Sequence, residues 1–434
     1  MKRKIVLNSN FFHFVIIFLT VIYVFLKENN QYISSNVLSI LLACIIVLLP
    51  LKEKIYTLFY FIPFYLYIYI FSFAFYNVIS IAIIIHFLLL RKKISIKYIF
   101  LTFLILCFEI YTGLFNDSLN IMYIIKWSLC FFVSLSLMNG STISLNKYKS
   151  GFLYVIGVAL MGIFTLMQYN SFSVDSIMRE ELAGALSTLD QNTFSMYCLL
   201  GGVIGVCLVF DGDNSNKFFK IACSLLLIIC FLAGALMVSK TYFLVLIFYV
   251  LMLLFKNIRD AKKFIITFLS ITSIVLLIIF LPFTNSLLDS VLSRFGSNND
   301  IYEITTGRTG IIMEYIKALI ENPLGLFFGA GLFSYNIFYD IKFISDRGQA
   351  MITHNILLEI ICAFGIVGFT ILLVMYIKIF KKNIKYSSSY WNYIPLIIFI
   401  IFAQSISIFR EDVTHYIILL CFIMTKSNSI YKVT

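Results

Sequence analysis

Apolar runs long enough to cross a bilayer recur from residue 11 to residue 425, separated by short polar breaks. A transmembrane helix needs about 20 apolar residues. The breaks give candidate spans that begin near Phe11, Asn36, Ile55, Ala74, Tyr98, Ile121, Gly151, Asn192, Phe218, Thr241, Phe264, Thr353, Trp391 and Val413. The pattern predicts an all-α, polytopic membrane protein with about 14 transmembrane helices (about 12 to 14), in which residues 1–434 form a single membrane domain.

One unbroken apolar stretch, from residue 55 to residue 90, is too long for a single span. Its length fits two tilted helices. We expect the turn between them near the polar residue Asn77.

A long polar segment, Thr284 to Ile352, interrupts the apolar runs and is expected to form a large loop with short helices of its own. Thr306 is placed to cap a helix that runs from about Arg308 to Ile320, and Pro323 ends it. The stretch "PLGLFFGAGLFSYN" follows, residues 323–336, and its glycines permit close backbone approach.

The composition excludes an ordinary soluble protein, because 61% of residues are apolar, 12% are charged and the mean hydropathy is +0.98. The nine Cys lie in predicted spans without a CxxC pair, so neither a disulfide framework nor a metal site is indicated. The net charge of +12 arises mostly from cations that flank spans. That distribution is typical of cytoplasmic membrane loops and gives no reason to expect nucleic-acid binding.

The positive-inside rule sets the expected orientation. A cytoplasmic N-terminus places most of the 33 Lys and Arg residues in cytoplasmic segments. Both termini are then cytoplasmic, and the loop at 284–352 is extracytoplasmic. The opening "MKRK" and the apolar run after it lack a small-residue cleavage site, so we interpret them as an uncleaved first span.

The same rule leaves a set of outward cations unexplained: Arg179, Lys240, Arg294, Arg308, Lys317, Lys342, Arg347 and Arg410. Cations near the membrane surface suit an anionic group at headgroup depth, and guanidinium groups suit phosphate oxygens. We retain four of them as candidate ligands of such an anion, Arg308, Lys240, Arg179 and Arg410, and assign the others to solvated loop charge.

The span after the loop opens with "THNILLEIICAFGIVGF", residues 353–369. Thr353 is a plausible N-cap, which places His354 and Asn355 in the first helical turn. The positive end of a helix disfavours the imidazolium ion, so a neutral imidazole able to accept a proton is expected at His354. A packed or capping histidine is the alternative.

Three charged residues lie inside predicted spans. Glu109 and Lys126 occur at matching depths in successive spans, which favours an ion pair over a substrate cavity. Glu359 lies one turn below Asn355. We expect it either to orient the His354 region or hydrogen-bond a sugar, or to form a structural bond to a neighbouring helix.

Asp211 and Asp213 form a DxD motif in a short cytoplasmic turn, where no metal site is expected.

The order of these features resembles the bacterial O-antigen ligase and O-antigen or capsule repeat-unit polymerase family. That family has an Arg that opens a loop helix, a Pro followed by a Gly cluster, and a His-Asn pair before spaced glycines. The matching positions are Arg308, Pro323, Gly329, Gly331, His354, Asn355, Gly365 and Gly368. The likeness covers about residues 307–370.

Two further stretches are similar to the family more loosely. "VSKT", residues 238–241, stands where the family often has Ser-Arg-Thr, with Lys240 in place of the Arg. "LDQNTFSMY", residues 189–197, is similar to the Asn-bearing start of another family span. A helix cap is the favoured explanation of Asn192.

The resemblance implies a membrane glycosyltransferase at the outer face of the bacterial cytoplasmic (inner) membrane, with no metal or cofactor. Its donor and acceptor would be oligosaccharides linked to undecaprenyl diphosphate, and a chain-length regulator and a flippase are further partners it suggests. His354 and Arg308 would be catalytic. Lys240, Arg179, Arg410, Asn355 and Glu359 would contact the diphosphate or sugars.

Three functions stay open at this stage. We favour a polymerase of O-antigen or capsular repeat units because the spans are many and short and the loop is modest. The first alternative is an O-antigen ligase that transfers polysaccharide to lipid A core. The second is a flippase or transporter of lipid-linked oligosaccharide, with Glu109, Lys126 and Glu359 along its path.

Overall fold

A computed structural model describes residues 9–70, 73–89, 95–138, 145–169, 190–210, 216–237, 239–257, 265, 308–341, 351–384 and 390–425. Within these ranges the chain is helical apart from short turns and one two-stranded hairpin. The helices are α1 (Ser9–Glu28), α2 (Tyr32–Leu48), α3 (Leu51–Phe61), α4 (Phe75–Leu89), α5 (Ile96–Phe115), α6 (Ile121–Met138), α7 (Lys147–Tyr169), α8 (Gln191–Phe210), α9 (Lys217–Leu236), α10 (Lys240–Asn257), α11 (Arg308–Glu321), α12 (Pro323–Phe328), α13 (Tyr335–Phe338), α14 (Ile356–Ile384), α15 (Ile394–Ala403) and α16 (Thr414–Met424).

Among the described residues, seven helices are long and apolar enough to cross a membrane: α1, α5, α6, α7, α8, α9 and α14. Five shorter apolar helices accompany them, α2, α4, α10, α15 and α16. The predicted all-α membrane class is confirmed at this level. The number of spans and their orientation stay predictions, and the span predicted near Phe264 falls almost entirely outside the described residues.

The turn expected near Asn77 was placed wrongly. Helix α3 ends at Phe61, a 3-10 turn at Ile62–Phe64 follows, and a hairpin of β1 (Tyr69–Ile70) and β2 (Phe73–Ala74) precedes α4. The prediction failed because Pro63, which lacks an N–H, disfavours continuation of α3, and the aromatic-rich stretch after it forms the hairpin. Asn77 lies in the first turn of α4 and is fully buried.

Helices α8 and α16 form the centre of the bundle. Helix α8 is buried nearly all round by α7, α9, α10 and α15, and α16 packs against α6, α7 and α15. The outer helices α1, α5 and α9 instead present rows of exposed apolar side chains. This arrangement fits a bundle whose outer surface is solvated by lipid.

Candidate active site

The starts of α8, α10 and α11 meet at one end of the bundle, which we call the site end. The Ser239 hydroxyl donates to Asn192 Oδ1 at 2.8 Å and so joins α10 to α8. Arg308 Nη1 donates to Thr241 Oγ1 at 3.4 Å, which joins α11 to α10. Helix starts carry unpaired N–H groups and a partial positive charge, so a site where several meet favours an anion.

Helix α14 also begins at the site end, two residues later than a Thr353 cap would require. Its N-cap is Asn355, whose Oδ1 accepts from the Leu358 N–H at 3.0 Å. The predicted cap at Thr353 was therefore wrong, and His354 precedes the helix with a φ of +49°. Asn at the cap supplies a side-chain oxygen to the first helical turn, which Thr353 is too far upstream to do.

The left-handed backbone at His354 is held by the α15–α16 loop, residues 404–413. The His354 N–H donates to Ser407 Oγ at 2.9 Å, and the Asn355 side-chain amide donates to the Gln404 carbonyl at 3.1 Å. A non-glycine residue in this region costs on the order of 1 kcal/mol, so these bonds fix an otherwise unfavourable conformation. The imidazole is half-buried, and within the described residues its ring nitrogens have no hydrogen-bond partner.

His354 and Arg308 share one electrostatic environment. Burial first, and the positive charge of Arg308 second, lower the pKa of His354 to about 4, while Asp190 opposes both effects. Burial also lowers the pKa of Arg308, and Asp190 again opposes the shift. At neutral pH the site therefore combines an uncharged imidazole with a charged guanidinium.

Asp190 is a member of this cluster that the sequence analysis missed. It caps α8, because its Oδ2 accepts from the Thr193 N–H at 3.0 Å and lies 3.2 Å from the Thr193 hydroxyl. Asn192, for which a cap was the favoured explanation, instead accepts the Ser239 bond. The spacing of Asp190 and Thr193 is the signal that was available for the true cap.

The α15–α16 loop brings three charged residues to the same end. The Phe409 and Arg410 N–H groups donate to the two carboxylate oxygens of Glu359, at 2.9 and 3.2 Å. Burial first, and then Asp412 and Asp190, raise the pKa of Glu411 to about 7, while Arg410 opposes the rise. Asp412 accepts from the Tyr76 hydroxyl and the Asn77 amide.

Residues 221–373 match the model of a protein family described as O-antigen ligase. The stretch contains the Arg308 and His354 positions on which the resemblance rested. Over this region the chain is similar to the O-antigen ligase family. No curated protein and no solved structure matches the chain significantly.

The family region covers about a third of the chain and contains Lys240, Arg308, His354, Asn355 and Glu359. Members of this family are glycosyltransferase-like membrane enzymes. Lys240 is the half-buried first residue of α10, next to the Thr241 that bonds Arg308. Arg410 lies outside the family region but reaches the site end through the α15–α16 loop, and Arg179 lies outside the described residues.

The family's glycine cluster docks onto a break in α14. Gly365 has a φ of +65° within α14, where it interrupts the helix. The Ala330 and Gly331 N–H groups donate to the carbonyls of Cys362 and Ala363, each at 2.9 Å. The glycines thus allow close backbone approach, as the sequence predicted, and the partner is α14.

The predicted ion pair between Glu109 and Lys126 was wrong. Glu109 is buried, and its two oxygens accept from the Leu332 N–H at 2.8 and 2.9 Å. Lys126 lies over the rings of Phe73 and Tyr123, at 5.2 and 5.9 Å from their centroids. Burial of unpaired backbone N–H groups is costly, and a carboxylate is a strong acceptor for them.

Glu359 serves the same purpose for the α15–α16 loop. The residue is 0% exposed and both carboxylate oxygens accept backbone N–H bonds. The contacts favour a structural role over contact with a sugar, although the partner is a loop and not the neighbouring helix that the alternative named. Among the described residues, no group of three or more His, Cys, Asp or Glu is arranged to hold a metal ion.

Proposed function

We propose that the chain is a polymerase that joins undecaprenyl-diphosphate-linked oligosaccharide repeat units at the outer face of the cytoplasmic membrane. The observation that carries the proposal is that Arg308, at the start of α11 and bonded to the start of α10, lies within electrostatic reach of His354, just before α14. A group that carries a positive charge and a group that accepts a proton are the two parts that metal-independent glycosyl transfer to a hydroxyl needs.

The donor diphosphate would lie against Arg308. Thr241 holds the guanidinium at the start of α10, and Lys240 adds a second cation on the same helix. The positive helix ends of α8 and α10 add to this field. Charge that builds up on the departing diphosphate would then be stabilised without reorganisation of the site.

His354 would accept the proton of the attacking hydroxyl. The hydroxyl oxygen bonds to the anomeric carbon of the donor as the bond from that carbon to the diphosphate oxygen breaks, and polyprenyl diphosphate departs. Direct displacement inverts the anomeric carbon. A bound diphosphate offsets the charge of Arg308, so it raises the pKa of His354 and makes the imidazole a better base when the donor is present.

The surface of α11 and α12 supports a substrate that is carried on a lipid. Their buried face consists of Ile311, Tyr315, Leu319 and Gly325. A second apolar face is exposed, formed by Met313, Ile316, Ile320, Leu324, Phe327 and Phe328. A helix with such a face lies in the membrane interface. Arg308, at the first position of α11, would then lie at headgroup depth.

The contacts of Glu109, Lys126 and Glu359 do not favour the flippase alternative. The carboxylate oxygens of Glu109 and Glu359 accept backbone N–H groups, and Lys126 lies over aromatic rings. The ligase differs from the polymerase in its acceptor, so an acceptor test is required to separate these two.

Purified protein reconstituted with lipid-linked repeat units tests the proposal. Chain elongation is the expected result, and His354→Ala and Arg308→Ala are each expected to abolish it while the protein still inserts and folds. Lys317→Ala is the matched control, because Lys317 lies on the same helix as Arg308 but is solvent-exposed and pairs with Glu321 at 3.7 Å.

Two outcomes would replace the polymerase. Transfer to lipid A core without elongation identifies a ligase, and movement of intact substrate between leaflets identifies a flippase. Normal elongation by both the His354 and the Arg308 variants contradicts the roles assigned here.

A further inference from the structure

A second group of side chains occupies the site end beside the His354 centre. We call it the aromatic patch and define it as Tyr69, Tyr123, Lys126, Phe333, Arg410 and Glu411. Tyr123 is 59% exposed, and its ring stacks on that of Phe333 with centroids 6.3 Å apart and an interplanar angle of 23°. The Arg410 guanidinium lies 5.9 Å from the centroid of the Phe333 ring.

Four separate elements contribute to the aromatic patch. Tyr69 comes from the hairpin, and Tyr123 and Lys126 come from the start of α6. Phe333 comes from the glycine-rich loop, residues 329–334, and Arg410 and Glu411 come from the α15–α16 loop. The pKa of Tyr69 is raised to about 12, by burial first and then by Asp412, Tyr123 and Glu411. Tyr69 therefore lies within electrostatic reach of members from two other elements.

The aromatic patch adjoins the proposed catalytic centre, because the loop that carries Arg410 and Glu411 also accepts the His354 N–H, through Ser407 Oγ at 2.9 Å. Glu411 is within electrostatic reach of Asp190, and Asp190 is within reach of both His354 and Arg308. The carboxylates of Glu411 and Asp190 therefore offset part of the positive charge on the patch side of the centre.

The chemistry of the patch suits a sugar. Ring faces provide flat apolar contact surfaces, and the charged groups at their edges can hydrogen-bond hydroxyls. Among the described residues the Glu411 carboxylate has no side-chain hydrogen bond, which leaves its oxygens available to accept from a hydroxyl. Direct displacement also requires the acceptor to approach from the side opposite the leaving diphosphate.

We propose that the aromatic patch binds the sugar of the acceptor repeat unit whose hydroxyl attacks the donor. The inference rests on the proposed function, and it adds a location and a set of residues for the acceptor. The donor sugar, which is bonded to the diphosphate, occupies the Arg308 side of His354.

Tyrosines at a membrane surface also serve as interfacial anchors, and the chain contains a matched pair to separate the two roles. Tyr111 is 66% exposed at the site end of α5, and its ring stacks on that of Phe115 at 6.4 Å and 23°. Within the described residues no cation lies over either ring of this pair. Tyr111→Ala therefore removes an anchor of the same geometry outside the patch.

Kinetics with separate substrates test the proposal. The donor is the lipid-linked repeat unit, and the acceptor is a repeat-unit glycoside without a diphosphate, which cannot donate. Tyr123→Ala is expected to raise the acceptor KM about tenfold with little change in donor KM, because one aromatic contact is lost. Tyr123→Phe keeps the ring and is expected to restore the acceptor KM. A rise in donor KM alone, or an equal effect of Tyr111→Ala, overturns the proposal.

A binding measurement separates this inference from the proposed function. Trp127 lies one turn after Tyr123, and its Nε1 donates to the Phe409 carbonyl at 2.8 Å, next to Arg410. Trp391→Phe leaves Trp127 as the only tryptophan of the chain. The probe is repeat-unit oligosaccharide released by mild acid from the lipid carrier of the source cells, and inorganic pyrophosphate is the control.

The oligosaccharide is expected to change Trp127 emission saturably, and Tyr123→Ala is expected to remove that change. Binding that depends on Tyr123 in a protein that does not elongate chains supports the patch and overturns the polymerase. Elongation without any effect of Tyr123→Ala on acceptor KM or emission supports the polymerase and overturns the patch.

Discussion

Two buried carboxylates at the site end each accept backbone N–H groups of a loop, but only one of the two loops contacts His354. Glu109 of α5 accepts the Leu332 N–H and so holds the glycine-rich loop. Glu359 of α14 accepts the Phe409 and Arg410 N–H groups and so holds the α15–α16 loop. Only the second loop also bonds the backbone of His354, through Ser407. A carboxylate inside a span can therefore affect chemistry without contact to the substrate.

The largest effect is expected for Glu359→Gln. An amide offers one acceptor oxygen where two N–H groups need partners, so the α15–α16 loop shifts and His354 shifts with it. A displacement of about 1 Å at a catalytic group costs on the order of 100-fold in rate. Elongation assays and a thermal melt of the purified protein measure the two consequences. Unchanged elongation with a lowered Tm would show that the loop does not position His354.

A smaller effect is expected for Ser407→Ala, which removes the acceptor of the His354 N–H. Elongation should fall about five- to tenfold, because one hydrogen bond of about 1–1.5 kcal/mol fixes the unfavourable φ of His354. Ser405→Ala is the matched control, since the Ser405 hydroxyl donates within its own turn to the Phe402 carbonyl at 2.8 Å. Equal losses in both variants would contradict a specific role of Ser407.

Glu109→Gln tests the carboxylate that holds the glycine-rich loop. The variant should lose less stability than Glu359→Gln, because its amide oxygen can still accept the single Leu332 N–H, whereas Glu359 accepts two N–H groups. Elongation should fall by less than about tenfold, and the loss should appear in the acceptor KM because the loop carries Phe333. A loss as large as that of Glu359→Gln would remove the distinction between the two loops.

The smallest expected change is in the titration of His354. Burial and the charge of Arg308 both lower its pKa, so Arg308→Gln removes the second cause and raises that pKa. Modification of His354 by diethyl pyrocarbonate, followed by peptide mass spectrometry, reports the uncharged imidazole. Its half-maximal rate should occur near pH 4 in the native protein and at a higher pH in the variant. Identical pH profiles of the native protein and the Arg308 variant would show that Arg308 does not influence the pKa of His354.

The sequence predicted the all-α membrane class and a loop helix from Arg308, because each leaves a local signal. The role of His354 stays a prediction. The predictions that failed involve distant partners. Glu109 looked like half of an ion pair because its true partner is a backbone N–H that lies 223 positions away along the chain. A backbone group has no letter in the sequence, so no pattern of residues could reveal it.

Asp190 and Ser407 were missed for a related reason. Each is an ordinary polar residue in a short connection, and its importance depends on which helix starts the fold places beside it. Helix starts can be estimated from capping residues, but their convergence requires the packing of the bundle. Asp190 left a capping signal, whereas Ser407 left none that separates it from Ser405.

The contact between the segment after α12 and the break in α14 limits which residues can occupy positions 329 and 365. A methyl group on Gly329 would lie 2.3 Å from the Ala363 carbonyl oxygen, and one on Gly365 would lie 2.2 Å from that of Phe327. Both obstacles are main-chain atoms, so no replacement of a neighbouring side chain makes room. The two positions are therefore constrained together in evolution and engineering. Each must remain glycine for as long as the segment after α12 packs against the break in α14.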